Sequence, residues 1–277
     1  MNIEKKQLEE KGYFIIRNFL DKNEIQKFEK IFQEKKLSQN NSENFETENE
    51  VCWEYLANPK LLSKIKNTLG EKIFYMHDVH FNEAKIEDNE RSWHRDNPCR
   101  STGKGPDWDK NFPYNVVTTI TYMSSSEETN SQLNVLKKSH KTNFKFSLTN
   151  VLRLIHRKLI NKRNTRLIKL LIEKLIGEKI SYEVGDCVVF LANLYHMGNG
   201  VPKNQQYRKL IISRYGGSGK HSANFMNYIF KHRNEMSNRY KGSNKKNDFF
   251  NFLKKNNIFK AIPEEKIEIE GVYSKTK

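Results

Sequence analysis

GDCVVFLANLYHMGNGVPKNQQYRKLIIS, residues 185–213, is the stretch whose reading decides the fold. Gly185-Asp186 is a turn signal, and it feeds an apolar run, Cys187-Val188-Val189-Phe190-Leu191. A connection containing Gly and Pro then leads into a second β-rich run, RKLIISRY, at 208–215. Short runs of this kind, rich in β-branched and aromatic residues and bounded by turn residues, read as strands. Four others match them: 73–82, 115–123, 132–136 and 180–184. Many short strands without regular βα alternation predict a mainly β protein, an antiparallel sandwich or jelly roll rather than a doubly wound sheet.

Helices flank this series. Tyr13–Ile16 reads as a strand after Gly12, and a helix follows with apolar positions Ile25, Phe28, Ile31 and Phe32 and with Asp21 or Asn23 as its cap. Residues 38–49 are a polar loop, and a second helix carries Trp53, Leu56, Leu61, Leu62 and Ile65 to its end near Gly70. Two helices over 151–176 interrupt the strands, parted at Asn161–Asn164, with eight Lys/Arg against one Glu. Leu152, Ile155, Leu159, Leu167, Ile168, Leu171 and Leu175 form their apolar faces. The expectation is an ordinary basic insertion, residues 145–178, packed on the barrel; a lid over the active-site mouth or a membrane-surface pair is the alternative. One domain over residues 1–217 is therefore expected, with 218–277 as a helical extension packed on it and ending in a strand-like EKIEIEGVY.

Composition narrows the function classes. The formal net charge of +16 fits a solvated basic surface, or attraction to anions such as acyl-CoA, phosphosugars, lipid headgroups or nucleic acid. Cys52, Cys99 and Cys187 are an odd, widely spaced set without CxxC, which points to a reduced, cytoplasmic protein. The N-terminus lacks the apolar core of a secretory signal, and no apolar run approaches bilayer length.

The chemistry lies in His94-x-Asp96, followed by His196 and Arg208. On an extended backbone His94 and Asp96 leave the same face, while Trp93 and Arg95 point away. His196, after the 185–191 turn and strand, would bring a third ligand from a neighbouring strand. Two imidazoles and one carboxylate leave metal positions open, as in the facial triad of Fe(II) oxygenases. The His-x-acid pair alone is weak, since about one such triplet arises by chance among 8 His and 33 Asp plus Glu. Arg208 would offer a fixed-charge fork to the far carboxylate of a 2-oxoacid chelating the iron. Arg214 shares its strand phase, and spacing prefers Arg208. Thr119, Thr121 and Lys85 are further candidates for cosubstrate contact. His77 and His80, opposite in strand phase, and His140 read as structural or surface residues rather than ligands.

Four segments resemble the phytanoyl-CoA dioxygenase family of Fe(II)/2-oxoglutarate-dependent oxygenases over about residues 10–216. They are GYFIIRNFLDKNEIQKF, WHRD, NSQLNVLKKSH and the 185–213 stretch itself. The resemblance implies a cupin-like double-stranded β-helix with iron held by His94, Asp96 and His196. It implies 2-oxoglutarate on the metal with its distal carboxylate on Arg208, and O2 as oxidant. It further implies hydroxylation of an unactivated C–H bond in a small-molecule, lipid or carrier-bound substrate, with succinate and CO2 released; the positive charge leans toward an anionic one. Against the family pattern, Ser131 stands for Gly, Lys137-Lys138 for Pro-Gly, and Gly198 for a Ser whose hydroxyl often helps hold the cosubstrate. Two other classes stand beside this reading: a nucleic-acid oxidative demethylase, disfavoured by the N-terminal segment, and a non-catalytic jelly-roll binding protein.

Overall fold

A computed structural model gives the architecture; the structure describes residues 2–35, 45–85, 93–96, 114–129, 131–160, 162, 164–200, 207–232, 240 and 242–262. The strands are β1 (Tyr13–Ile16), β2 (Ile73–Lys85), β3 (Val116–Tyr122), β4 (Ser131–Leu136), β5 (Gly177–Ile180), β6 (Cys187–Leu191), β7 (His196–Gly200) and β8 (Tyr207–Gly217). They form two antiparallel sheets, ordered β1-β6-β3-β8-β2 and β5-β4-β7. His94 bridges His196, extending the small sheet by one residue beyond β7. Two packed antiparallel sheets are the mainly β arrangement that the strand series predicts.

Both faces of the large sheet are covered, and that explains its continuous apolar runs. Val188 and Phe190 of β6, Ile120 and Tyr122 of β3 and Leu210 of β8 meet Leu133, Val135 and Ile180 of the small sheet. The alternate residues Cys187, Val189, Val117, Ile211 and Tyr215 face a helical layer instead. The helices before the insertion are α1 (Ile3–Lys11), α2 (Lys22–Lys35), α3 (Phe45–Glu48), α4 (Glu50–Leu56), α5 (Pro59–Leu69) and α6 (Ser126–Thr129), and that layer includes α2, α4, α5 and a C-terminal helix, Lys246–Lys255. Phe28, Phe32, Trp53, Leu56, Leu61, Ile65, Phe249 and Leu253 pack there, each large apolar side chain contributing about 1.5–3 kcal/mol on burial. Asp21 caps α2: its carboxylate accepts from the Glu24 amide at 2.8 Å while Glu24 accepts from the Asp21 amide at 2.8 Å, a reciprocal box.

Several boundaries differ from the sequence reading. A helix over Ile3–Lys11 precedes β1; only Leu8 is buried on it, so no apolar period announces it. The strand expected at 180–184 lies at Gly177–Ile180, directly after the second insertion helix. The insertion helices are α7 (Leu148–Leu159) and α8 (Arg166–Ile176). They rest on Trp93, Leu136, Tyr195 and Met197 through Ile172 and Ile176, with Leu152 and Leu159 partly buried. Ile155, Leu167, Ile168, Leu171 and Leu175, expected to pack, are exposed. The terminal EKIEIEGVY lies outside the described residues.

Candidate metal centre

The bridge between His94 and His196 assembles the site. Each amide donates to the other's carbonyl, at 3.0 and 2.9 Å, and the Asp96 amide donates to Ala192 at 2.8 Å. Two chain segments are thereby fixed side by side, with three ligand side chains on one face. The imidazole centroids are 4.4 Å apart. Asp96 Oδ1 lies 3.6 Å from His196 Nε2 and 3.9 Å from His94 Nε2, and the candidate ligand atoms all lie within 4.8 Å of one another. Right-angled ligands at about 2.1 Å from one ion are about 3 Å apart, so small side-chain rotations close the set around a metal.

Polar neighbours orient these donors. His196 Nδ1 donates to the Leu194 carbonyl at 3.0 Å, which fixes the tautomer and presents Nε2 as the metal-facing nitrogen. The Thr118 hydroxyl donates to Asp96 Oδ2 at 2.9 Å, and Arg214 Nη2 lies 3.2 Å from the same oxygen. Oδ2 is thus held by the chain, and Oδ1 is turned toward both imidazoles. Arg214 also pairs with the fully buried Asp78, which in turn contacts His80 at 2.5 Å. Burial alone would lower the Arg214 pKa; the two carboxylates outweigh it and raise it above its ordinary value. Phe190 closes the inner side, its ring 4.6 Å from His196. The side chain of His94 remains 31% exposed, so solvent reaches the site from that side.

Arg208 lies on the same inward face of β8 as Leu210 and Arg214. Its guanidinium fills the space above Gly198: a Cβ there would come within 2.9 Å of Nη1 and 3.2 Å of Nη2. Gly198 is two residues from His196 on β7, so the fork stands beside the metal ligands. The serine of the family pattern would collide with it. Arg208 also partly offsets the effect of burial and of Tyr182 on Tyr122, whose hydroxyl is raised well above its ordinary pKa.

Thr119 and Thr121 require a correction. Thr119 Oγ1 is 2.6 Å from Ser213 Oγ, and Thr121 Oγ1 is 2.9 Å from the Tyr55 hydroxyl in the helical layer. Both face away from Asp96, and Thr118, one residue before Thr119 and on the opposite face of β3, carries the hydroxyl that reaches the site. Lys85 pairs with Tyr207 at the end of β2; its side chain lies outside the described residues. Arg95 points away from the ligand cluster and is buried, bonding the Ser139 carbonyl at 2.8 Å and stacking on Tyr195 at 4.1 Å. His77 is buried between Tyr240 and the Lys260 carbonyl, both at 2.8 Å. His140 donates to the Glu9 carbonyl at 2.9 Å. Among the described cysteines, Cys52 and Cys187 are buried free thiols, and burial pushes Cys187 up to about 12. The sequence reading missed Thr118, Asp78 and the role of Arg214; only strand phase hinted at the last.

Comparison with known proteins bears on the fold and the family. HygX from Streptomyces hygroscopicus, solved with nickel and 2-oxoglutarate, is 16% identical, with 79% of this chain and 87% of that chain covered and a TM-score of 0.55. EctD from S. alaskensis, solved with 2-oxoglutarate and 5-hydroxyectoine, is 13% identical over 79% and 77% of the two chains, with a TM-score of 0.57. The epimerase SnoN from nogalamycin biosynthesis is 10% identical over 77% and 82%, with a TM-score of 0.52. These are likenesses of fold. Among curated proteins, no sequence match is found. The sequence itself matches the phytanoyl-CoA dioxygenase family over residues 8–209. With that match spanning most of the molecule and the His94-Asp96-His196 triad inside it, the chain belongs to the phytanoyl-CoA dioxygenase family of Fe(II)- and 2-oxoglutarate-dependent oxygenases.

Proposed function

We propose that this protein hydroxylates an unactivated C–H bond of a small-molecule or carrier-linked substrate of anionic character, consuming 2-oxoglutarate and O2 and releasing succinate and CO2. The observation that carries this reading is the convergence of His94, Asp96 and His196 with Asp96 Oδ2 held by Thr118 and Arg214. A ferrous ion with its cosubstrate supplies the oxidising chemistry when bound there. The chain's own residues do the rest. His94 and His196 offer neutral nitrogens, Asp96 one oxygen, and Arg214 balances the carboxylate charge in a dry interior. Arg208, held over Gly198, offers a planar fork for the distal carboxylate of 2-oxoglutarate. Ile120, Phe190 and Leu210 wall off the inner side and keep water out.

Residues 1–217 form the catalytic unit in this reading, with 218–277 as its extension, and a cytoplasmic location rests on the buried free thiols. Anionic character rests on the charge of +16. HygX has been solved with hygromycin B bound, and SnoN is an epimerase, so the outcome to be distinguished is oxygen insertion against epimerisation. The test is anaerobic titration with Fe(II) and 2-oxoglutarate, following the metal-to-ligand charge-transfer band, in the wild type and His196→Ala. A band in the first and none in the second is expected. A screen for substrate-dependent succinate release follows, and a product one oxygen heavier than its substrate identifies hydroxylation. Absence of the band in the wild type would leave a non-catalytic jelly roll.

A further inference from the structure

The α7–α8 hairpin has its polarity reversed. Arg153, His156 and Lys169 are buried against the barrel, while ten of the eleven large exposed apolar side chains among the described residues lie between Phe146 and Leu175. The buried polar groups have partners: Arg153 stacks on Tyr195 at 4.2 Å and bonds Asn150 at 2.8 Å, and His156 meets Glu173 at 2.8 Å. The hairpin is therefore built to stand on the barrel with its leucines outward. Leu148, Val151, Leu154 and Ile155 recur on one side of α7; Leu167, Ile168, Leu171 and Leu175 recur on one side of α8. Monomeric soluble proteins rarely expose an apolar surface of this extent without a partner for it.

The charge around that surface identifies the partner. Arg157, Lys158, Lys162, Arg166 and Lys174 are exposed on the same hairpin and Lys145 just before it, and the one acid between 151 and 176, Glu173, is engaged with His156. Lys145 lies over the ring of Phe146, itself 81% exposed. Leucines interleaved with long basic side chains suit an interface where apolar groups enter the acyl boundary and ammonium groups snorkel to phosphates. A second copy of this chain fits poorly, because a two-fold contact would set these cations against themselves. No described helix is long and apolar enough to span a bilayer, so the geometry is that of a helix pair lying on the surface.

We propose that the α7–α8 hairpin docks this protein on an anionic membrane surface, with Leu167, Leu171 and Leu175 entering the lipid boundary and Arg157, Lys158 and Lys174 contacting headgroups. The hairpin rests on Trp93, Tyr195 and Met197, the neighbours of His94 and His196, so docking would set the metal centre one layer of side chains from the lipid-bound element. Flotation of the full-length protein with vesicles of phosphatidylcholine and phosphatidylglycerol in equal parts, against phosphatidylcholine alone, tests this without any need for activity. The wild type is expected to bind the anionic vesicles at least tenfold more tightly at physiological salt. Leu167→Ser/Leu171→Ser and Arg157→Glu/Lys158→Glu should each weaken that binding at least tenfold, with melting temperatures unchanged because all four side chains are exposed. Lys22→Glu/Lys30→Glu, the same charge change elsewhere, should alter it less than twofold. Equal binding to both vesicle types, an unaltered leucine variant, or an equal loss in the Lys22/Lys30 control would overturn the proposal. So would self-association abolished by the leucine variant without any vesicle binding.

Discussion

Replacing Gly198 by alanine adds one methyl group, and the position of Arg208 sets what that group does. The new carbon would lie 2.9 Å from Nη1, 3.2 Å from Nη2 and 3.5 Å from Cζ. Ordinary contact needs about 3.5 Å, so the guanidinium must move by roughly half an ångström. The backbone cannot absorb this: Gly198 is paired with Leu133 on β4, and Arg208 with Ala84 on β2. The side chain must tilt instead. A tilted fork keeps one of two charge-assisted hydrogen bonds to a carboxylate, and the lost one is worth about 1.5–3 kcal/mol, or about ten- to a hundredfold in affinity. The assay is anaerobic 2-oxoglutarate titration of the Fe(II)-loaded protein, with Fe(II) affinity measured separately and expected to stay within twofold. Arg208→Gln provides the reference and should lose at least as much. If both variants bind 2-oxoglutarate as the wild type does, Arg208 is not the anchor. If only Arg208→Gln is weakened, the guanidinium has slack, and the glycine is not there to admit it.

Three further outcomes follow from the same geometry. Arg214→Gln strips the cation from two buried carboxylates, Asp78 and Asp96; a cost of about 3–5 kcal/mol should lower the melting temperature on the order of 10 °C, and Fe(II) should restore part of it. Thr118→Val removes the hydroxyl on Asp96 and should weaken Fe(II) binding about ten- to a hundredfold, whereas Thr121→Val, on the Tyr55 side, should leave it unchanged; equal effects would refute the facing of β3. Burial lowers His140 to about 4 from its ordinary 6.5, against the opposing hydrogen bond to Glu9. The unfolded chain then takes up the proton first as pH falls, so this group's stability is present above pH 6.5 and is lost between 6.5 and 4, by at most about 3 kcal/mol. Urea unfolding of His140→Gln across that window should show a shallower slope than the wild type, and parallel slopes would exclude His140 as the source.

Strand existence and the candidate His-x-Asp pair are legible because each rests on a local pattern. β6 coincides with the apolar run at 187–191, and His94-x-Asp96 needs only an extended backbone to put both ligands on one side. Facing is a different matter. All seven residues of β3 are buried, so no alternation of apolar and polar side chains tells which threonines look inward. The choice of Thr119 and Thr121 had the right period and the wrong phase. Arg208 and Arg214 share a phase and do face the same interior; six residues of strand, about 20 Å, separate their backbones, and their side chains reach Gly198 and Asp96 respectively. Strand phase cannot assign which arginine meets which partner, because both partners come from other segments; only spacing favours Arg208 for the cosubstrate.

The insertion carries the same lesson to the surface. Periodicity located two amphipathic helices and a break near 161–164, and the natural inference was that apolar faces turn inward. A period measures segregation, though, and not direction. The direction is set by what the barrel offers: the Tyr195 ring, flanked by Arg95 at 4.1 Å and Arg153 at 4.2 Å, gives a cation a better seat than a leucine. Glu173 gives His156 a hydrogen-bond partner at 2.8 Å across the hairpin. With the polar stripe satisfied inside, only Leu152, Leu159, Ile172 and Ile176 remain to seal the joint. Substituting Arg153 by Leu therefore discriminates between two views of this segment. If the hairpin is an ordinary packed insertion, leucine should be tolerated or stabilising. If Arg153 sets its orientation, leucine should take the hairpin's own cation off the Tyr195 ring and leave only Arg95 there, lower the melting temperature and increase the proteolytic sensitivity of residues 148–176, while Fe(II) binding persists.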